Sequence, residues 1–386
     1  MTATTGTATP VRTTADVVER VREAVARATP LRIVGRGGWL DAGHPVRAAH
    51  VLALDGLTGI VDYTPGDLTL TARAGTPLAE IARATMAERQ WLALDPFGSP
   101  HGTLGATVAT ASAGPLAHAF GTPRDNVLGL EAVTGDARVI RGGGRVVKNV
   151  AGFDLTRLLT GSWGTLGVIT EVTVRLRALP EVEESWAIAT PDDPPTLDAL
   201  LARLRTASVA PLAAELLNPA LAARLALGDR PVLLLRLGAN AESVRAQREQ
   251  VAMLGDARPA PSEVWSALRE CEPPGAAVLR CSALPSRLPE TWALACRSTH
   301  AVPDALLHAS VGRGIVRCII PPGALTLGDA IRALRAFDGT VIAERLPAEH
   351  WFPSKSDPVR DRLARDVARA FDPHRVLNPG ILELAP

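Results

Sequence analysis

The stretch from Leu92 to Arg124, LALDPFGSPHGTLGATVATASAGPLAHAFGTPR, constrains this chain more than any other. It is built largely from Gly, Ala, Ser and Thr, carries no formal charge between Asp95 and Arg124, and has little bulk with which to fill a core. Such a run lets backbone approach a large flat or phosphorylated ligand, because Gly has no side chain in the way. The pattern predicts a short helix over Thr103–Ser112 whose first-turn N–H groups are open to an anion. A tightly packed Ala/Gly helix inside an α/β core accounts for the same residues, so this run alone leaves the two readings level.

A second stretch tips the balance. Leu31-Arg-Ile-Val-Gly-Arg-Gly-Gly-Trp39 reads as a short buried strand ending in a glycine loop, and loops of this kind cradle phosphate with backbone donors. A Rossmann site would need G-x-G-x-x-G opening a helix, with an acid about 20 residues on. Gly35, Gly37 and Asp55 fit that pattern, but Leu40 stands where the third glycine belongs. Asp41-Ala-Gly-His-Pro45 then leaves no room for a helix before the next strand, Val51–Leu54. The helix lies ahead of the strand, and the Rossmann reading fails.

At 386 residues the chain makes two domains, or one large domain with an insertion. Its formal charge of +1 gives no electrostatic ground for a nucleic-acid or anionic-membrane partner. No apolar run is long enough to cross a bilayer, and MTATTGTATP lacks the features of a signal peptide. Residues 1–11 are expected as a disordered tail and the protein as cytoplasmic. The four cysteines, Cys271, Cys281, Cys296 and Cys318, show no C-x-x-C pairing and are expected reduced and buried, without zinc or an iron–sulfur cluster.

Along the chain, apolar spacing predicts a helix over Thr14–Ala28, followed by strands Leu31–Val34, Val51–Leu54, Gly59–Tyr63 and Leu68–Ala72. Thr76 is the expected N-cap of a helix running to Glu88, with Trp91–Leu94 a strand behind it. Val127–Thr134 and Ala137–Ile140 form a hairpin about Gly135-Asp136, and Arg141-Gly-Gly-Gly144 reads as a flexible turn. A helix over Asp154–Leu159 and an alternating strand over Val168–Leu176 close this half. Between Glu181 and Arg345 the pattern becomes strand, helix, strand, strand, helix, and then a second such round.

GRGGW, the run SPHGTLGATVATASAGP with PRDNVLG after it, and VVKNVAGFDLTRLLTGSWGTLGVITEV together resemble the FAD-binding domain of the vanillyl-alcohol-oxidase, or PCMH-type, flavoproteins. Within that family the resemblance is nearest to the FAD-binding subunits of bacterial glycolate oxidases. Phe371-Asp-Pro-His-Arg-Val-Leu-Asn-Pro-Gly380 is similar to the family's closing signature, where the chain returns to the flavin domain. The resemblance implies an α+β fold: a two-subdomain FAD-binding domain over 12–180, an antiparallel-sheet cap or substrate domain over 181–350 with helices on one face, and a returning segment over 351–386. It further implies that Gly35, Arg36, Gly37, Gly38 and Trp39 hold the pyrophosphate. Pro96, Gly102, Thr103, Leu104, Gly105, Thr107, Thr110 and Gly114 would line the isoalloxazine and ribityl side, with Ile169 near the adenine. Trp39 stands where relatives with covalent flavin carry a His, so the FAD is expected to be non-covalent.

A flavin performs the redox work, leaving the protein to position, tune and exclude. Oxidation of a 2-hydroxy acid needs a cation for the carboxylate and a base for the hydroxyl proton. Arg313, Arg317 and Arg345 are candidates for the first, and His350 for the second; His101 is read as a helix-start residue. Paired cap-domain histidines at the spacing of metal-dependent relatives are missing from 300–374, so no metal is expected. The implied function is that of a glycolate oxidase FAD subunit working with a second flavin subunit and an iron–sulfur subunit, with peripheral membrane association through that complex left open. A stand-alone oxidoreductase of another alcohol or 2-hydroxy acid, and a flavin-binding scaffold without chemistry of its own, remain the alternatives.

Overall fold

Thr13 starts the first helix, Thr14–Ala26, with a capping box. Its hydroxyl accepts the Asp16 N–H while the Asp16 carboxylate accepts the Thr13 N–H. Capping of this kind contributes about 1 kcal/mol. The helix buries Val17, Val18, Val21 and Ala24 in a small core shared with Leu31, Leu52, Leu54, Val376 and Leu377. Two parallel strands, β1 (Leu31–Val34) and β2 (His50–Ala53), run through that core.

The computed structural model describes residues 11–48, 50–99, 101–144, 154–191, 193–352 and 357–382. The expected tail therefore lies outside the described residues apart from Val11, which is buried in the small core. The front of the VVKNVAGF run lies outside them as well. The chain divides into two compact units. One takes the residues up to Ala113, Gly121–Leu179 and the C-terminal segment; the other takes Gly114–Phe120 and the residues from Pro180 onward to 352. Among the described residues no helix is long and apolar enough to cross a membrane.

The larger sheet of the first unit is antiparallel throughout. Its strands are β3 (Ile60–Thr64), β4 (Thr69–Arg73), β6 (Val127–Val133), β7 (Val139–Gly143) and β8 (Val168–Arg175), in the order β3-β4-β8-β6-β7. β5 (Gln90–Trp91) pairs separately with β9 (Arg177–Ala178). Leu70, Ala72, Leu130 and Val172 meet Ile81, Leu104, Val108 and Leu159 from three helices, Leu78–Met86, Leu104–Thr110 and Leu155–Leu159. Each such side chain taken from water is worth about 1.5–3 kcal/mol.

Three local expectations give way. Thr76 does not cap the helix after it; its hydroxyl accepts the Gly59 N–H at 3.0 Å and sits 3.2 Å from the Gly59 carbonyl, and the helix begins at Leu78. The Trp91–Leu94 strand shrinks to Gln90–Trp91, because β9 offers only two residues to pair with. Arg141-Gly-Gly is ladder, paired with Gly129–Glu131 in β6. Its glycines answer crowding: a Cβ on Gly142 would lie 2.6 Å from Leu155 Cβ, and one on Gly143 2.0 Å from the Leu128 carbonyl.

The second unit is one eight-stranded antiparallel sheet with a duplicated plan. Its strands are β10 (Val182–Ala189), β11 (Ala213–Leu217), β12 (Val232–Ala239), β13 (Ala257–Ala260), β14 (Ala277–Ser282), β15 (Leu306–Ser310), β16 (Ile315–Ile320) and β17 (Thr340–Arg345). The order β13-β10-β12-β11-β15-β16-β14-β17 places fourth, first, third and second strands of one round beside second, third, first and fourth of the next. The seam is β11 against β15. Helices Pro194–Thr206, Ala241–Ala252, Leu288–Thr299 and Leu327–Arg335 cover one face. Two short helices, Pro219–Arg224 and Val264–Arg269, add a smaller core on the other. β13, with Pro259 in an edge strand, was not legible from alternation.

The C-terminal return stitches the first unit together. Leu31 N–H donates to the Val376 carbonyl at 2.7 Å, and Asn378 N–H donates to the Leu31 carbonyl at 3.0 Å. The Asn378 side chain then accepts the Ile33 N–H at 2.8 Å and donates to the Trp163 carbonyl at 2.7 Å. Replacing Asn378 by Ala leaves both partners without their mate, at roughly 1–3 kcal/mol for each buried group. Asn378→Ala is therefore expected to lower unfolding free energy by about 2–4 kcal/mol in a denaturant titration, whereas a change within 0.5 kcal/mol would show that the return is dispensable.

Candidate functional site

β1 runs directly into the glycine loop, and the loop forms one wall of a cavity of about 280 Å³ in the first unit. The second wall comes from Pro96 to Thr110, and Trp163, Gly164, Gly167, Ile169, Asn378 and Ile381 complete the lining. Twelve of the expected cofactor residues meet here: Gly35, Arg36, Gly37, Gly38, Trp39, Pro96, Gly102, Thr103, Gly105, Thr107, Thr110 and Ile169. Leu104 and Gly114 do not. Leu104 points into the apolar core, fully buried, and Gly114 belongs to the second unit. His101 is exposed and lines the cavity, with its N–H on the Ser99 hydroxyl.

The glycines serve different ends. Gly37 has φ +83°, a conformation that favours a residue without Cβ. A Cβ on Gly35 would fall 2.6 Å from Thr103 Oγ1, so its smallness lets the loop close on the next helix. Gly105 is small because of protein packing and not because of a ligand: its Cβ would lie 2.6 Å from Ala74 Cβ. A Cβ on Gly38 would meet nothing within 4 Å.

The helix Leu104–Thr110 does not offer its first-turn donors as expected. Leu104 N–H goes to the Thr76 carbonyl at 2.9 Å, Gly105 N–H to Ala74 at 2.8 Å, and Ala106 N–H to Thr103 Oγ1 at 3.3 Å. Thr107 and Thr110 hydroxyls donate back to the carbonyls of Thr103 and Ala106. The open donors lie in the loop instead. Among the described residues no acceptor meets the N–H of Gly35, Arg36 or Gly37.

Two groups that sequence reasoning passed over stand out. Arg32 lines the cavity from the middle of β1, and burial pulls its guanidinium below the usual value. Its signal was present: a charged residue inside the otherwise apolar strand LRIV. Trp163 packs edge-on against Trp39, with ring centres 5.8 Å apart and planes at 90°. It holds φ +54°, which is uncommon for a residue so large. Nothing in GSWGTLG announced that it would turn toward the loop.

The second-unit candidates are occupied elsewhere. Arg317 is 3% exposed, bonded to Glu272 at 2.6 Å and to Glu344 through its other terminal nitrogen. Arg345 lies 3.4 Å from Glu272, and Arg280 3.5 Å from Glu344. The expectation that Arg317 and Arg345 receive a substrate carboxylate is therefore corrected: protein carboxylates already occupy them, because a cation this deep in a sheet requires a counter-charge. His350 ends the short turn Ala348–His350, and Arg313 ends the turn Val311–Arg313, both in this unit. The unit also buries a Glu215–His308 pair at 2.8 Å. Among the described residues no group of three or more His, Cys, Asp or Glu is placed to hold a metal, and the four cysteines are unbridged.

Comparison with known proteins points the same way as the cavity. Residues 9–143 match a protein family described as the FAD binding domain. Glycolate oxidase subunit GlcE of Escherichia coli (strain K12) is 40% identical over 173 residues, covering 44% of this chain and 48% of that protein. D-2-hydroxyglutarate dehydrogenase of Xanthomonas citri pv. viticola is 26% identical over 412 residues, covering 95% of this chain and 87% of that protein. Alkyldihydroxyacetonephosphate synthase superposes with a TM-score of 0.70 at 16% identity, over 95% of this chain and 75% of that one, a likeness of fold alone. The chain thus matches GlcE over about half of that protein's length. FAD is the cofactor this family match indicates, and the cavity fits it in kind: open loop amides, a half-buried arginine and, among the described residues, no Asp or Glu in its lining.

The ion-pair network yields a pH dependence. Burial alone would raise the Glu344 pKa, but Arg317 and Arg280 outweigh it and hold the carboxyl below its ordinary 4.5. A carboxylate with a depressed folded pKa stabilises the fold above its unfolded value, and that contribution disappears as pH falls through the folded one. Melting temperature should therefore fall below about pH 4.5 in the wild type. Arg317→Met should cost about 3–5 kcal/mol at neutral pH by removing the nearer cation from two part-buried carboxylates, each left with one more distant arginine. A neutral effect of that substitution would mean that the network is not under stress.

Proposed function

We propose that this chain is an FAD-binding flavoprotein related to glycolate oxidase subunits, that it holds FAD non-covalently in the first-unit cavity, and that it oxidises glycolate or a related 2-hydroxy acid to the 2-oxo acid within a complex. The observation that carries the reading is the cavity itself: the glycine loop and the Pro96–Thr110 segment converge on one space whose lining has two arginines and no carboxylate.

On this reading the amides of Gly35, Arg36 and Gly37 face the diphosphate. The loop takes this course because Gly37 adopts φ +83° and Gly35 leaves room for Thr103. Thr103, Thr107 and Thr110 present hydroxyl lone pairs, their protons being spent on the helix or left for the ligand. Ile169 and Ala74 give apolar contact, which excludes water. When bound, FAD supplies the two-electron acceptor that alcohol oxidation requires. Trp39 offers no nitrogen for a covalent bond to flavin of the kind an imidazole makes. The partners on this reading are a second flavin subunit and an iron–sulfur subunit that carry electrons away; the name of GlcE as a subunit supports it.

A second reading has a specific observation behind it. With Arg317 and Arg345 both committed to Glu272, a carboxylate-binding cation in the second unit is not evident from them. This favours a subunit that holds flavin for a complex whose substrate chemistry lies on a partner.

Purified protein should be yellow, and acid precipitation should leave the flavin in the supernatant. Filling the cavity with FAD should quench fluorescence from Trp39 and Trp163. Anaerobic glycolate or D-2-hydroxyglutarate that bleaches the flavin unaided supports the catalytic reading. Bleaching only after partner subunits are added supports the scaffold. Colourless protein that takes up no FAD would overturn both.

A further inference from the structure

Among the described residues the half-buried Arg32 of the cavity has no carboxylate partner. Arg32 sits mid-strand in β1, half-buried, with its Nη2 donating to the carbonyls of Trp39 at 3.2 Å and Leu40 at 3.4 Å. Its Nη1 is buried and meets no acceptor. Among the described residues the lining of its cavity contains no Asp or Glu. Three arginines of the second unit behave otherwise. Arg317 has Glu272 and Glu344, Arg345 has Glu272, and Arg236 has Glu183 at 2.8 Å.

A desolvated guanidinium without an anion is costly, and a chain retains one where a ligand supplies the missing charge. The surroundings indicate which anion. Nη2 is tied to the carbonyls that end the glycine loop, so the guanidinium is held beside the loop whose Gly35, Arg36 and Gly37 amides are open. A fork of donors next to a row of backbone N–H groups suits a tetrahedral, multiply charged oxyanion. A planar monocarboxylate would leave most of those donors unmet.

We infer that Arg32 is the residue that makes this cavity selective for a phosphate-bearing flavin nucleotide over the uncharged flavin ring system. The inference rests on the reading that FAD occupies the cavity. It assigns Arg32 two tasks at different nitrogens: Nη2 fixes the far end of the loop, and Nη1 meets a diphosphate oxygen. Of the two arginines that line the cavity, Arg36 is exposed, while Arg32 has a terminal nitrogen that is buried and without an acceptor.

The test is a titration of flavin-stripped protein with FAD and with riboflavin, followed by flavin fluorescence, in wild type, Arg32→Gln and Arg32→Lys. Losing one charged hydrogen bond should weaken FAD about 10- to 100-fold in Arg32→Gln. Arg32→Lys, which keeps the charge, should recover part of that loss. Riboflavin, which has no phosphate, should bind both forms alike, and inorganic pyrophosphate should compete with FAD in wild type but not in Arg32→Gln. Equal weakening of FAD and riboflavin would overturn the inference in favour of loop positioning alone. Unchanged FAD affinity in a folded Arg32→Gln would overturn it outright, as would unchanged affinity joined to a raised KM for glycolate, which would mark Arg32 as a substrate residue. Wild-type protein that takes up no FAD would instead overturn the reading beneath it.

Discussion

A four-residue strand cannot keep its place by its own ladder, and the first unit depends on how β1 is held. β2 pairs with one side of it. The other side is met by Val376–Asn378, more than 340 residues further along, with Asn378 accepting from Ile33 and donating to Trp163. These bonds fix where the strand ends, and hence where the glycine loop begins. They also fix the Trp163 segment opposite that loop. The cavity is in this sense a product of the closing segment: remove the amide of Asn378 and two of its walls lose their common anchor. Asp372 prepares that anchor by accepting the N–H groups of Val376 and Leu377 at 3.1 and 2.8 Å, and it stays buried to do so.

Charge is managed by opposite means in the two units. In the second, Arg317 and Arg345 are answered by Glu272, in the loop before β14, and Arg317 and Arg280 by Glu344 on β17, in one network. In the first, the lining of the cavity omits carboxylates and leaves backbone and guanidinium donors unmet. That contrast in ion pairing separates Arg32 from Arg317 and Arg345.

The duplicated sheet shows how much the local pattern can carry. Two rounds of strand, helix, strand, strand, helix were legible because each helix keeps a single apolar stripe, as Leu197, Leu200, Leu201 and Leu204 do, while the strands are near-continuous apolar runs such as Val232–Leu235. What local pattern does not carry is the seam. β11 and β15 pair through Glu215–Leu217 and His308–Ser310, residues that advertise no preference for one another. The pairing follows from two half-sheets each needing to cover an open edge.

The sequence by itself determined the flavoprotein resemblance, the two-part organisation of small-residue and duplicated regions, and the glycine loop, because close backbone approach demands Gly at particular spacings whatever surrounds them. Twelve of fourteen expected cofactor residues gather in one cavity for that reason. Tertiary structure alone decided which donors stay free. Helix amides after Thr103 are consumed by Ala74 and Thr76, contacts over about 30 residues that no local pattern encodes. It decided equally that Gly105 is small for Ala74, that Arg317 is paired with Glu272 and Glu344, and that Arg32 is not so paired. Whether a polar group is satisfied depends on what the fold brings to it, and that information resides in the packing of distant segments.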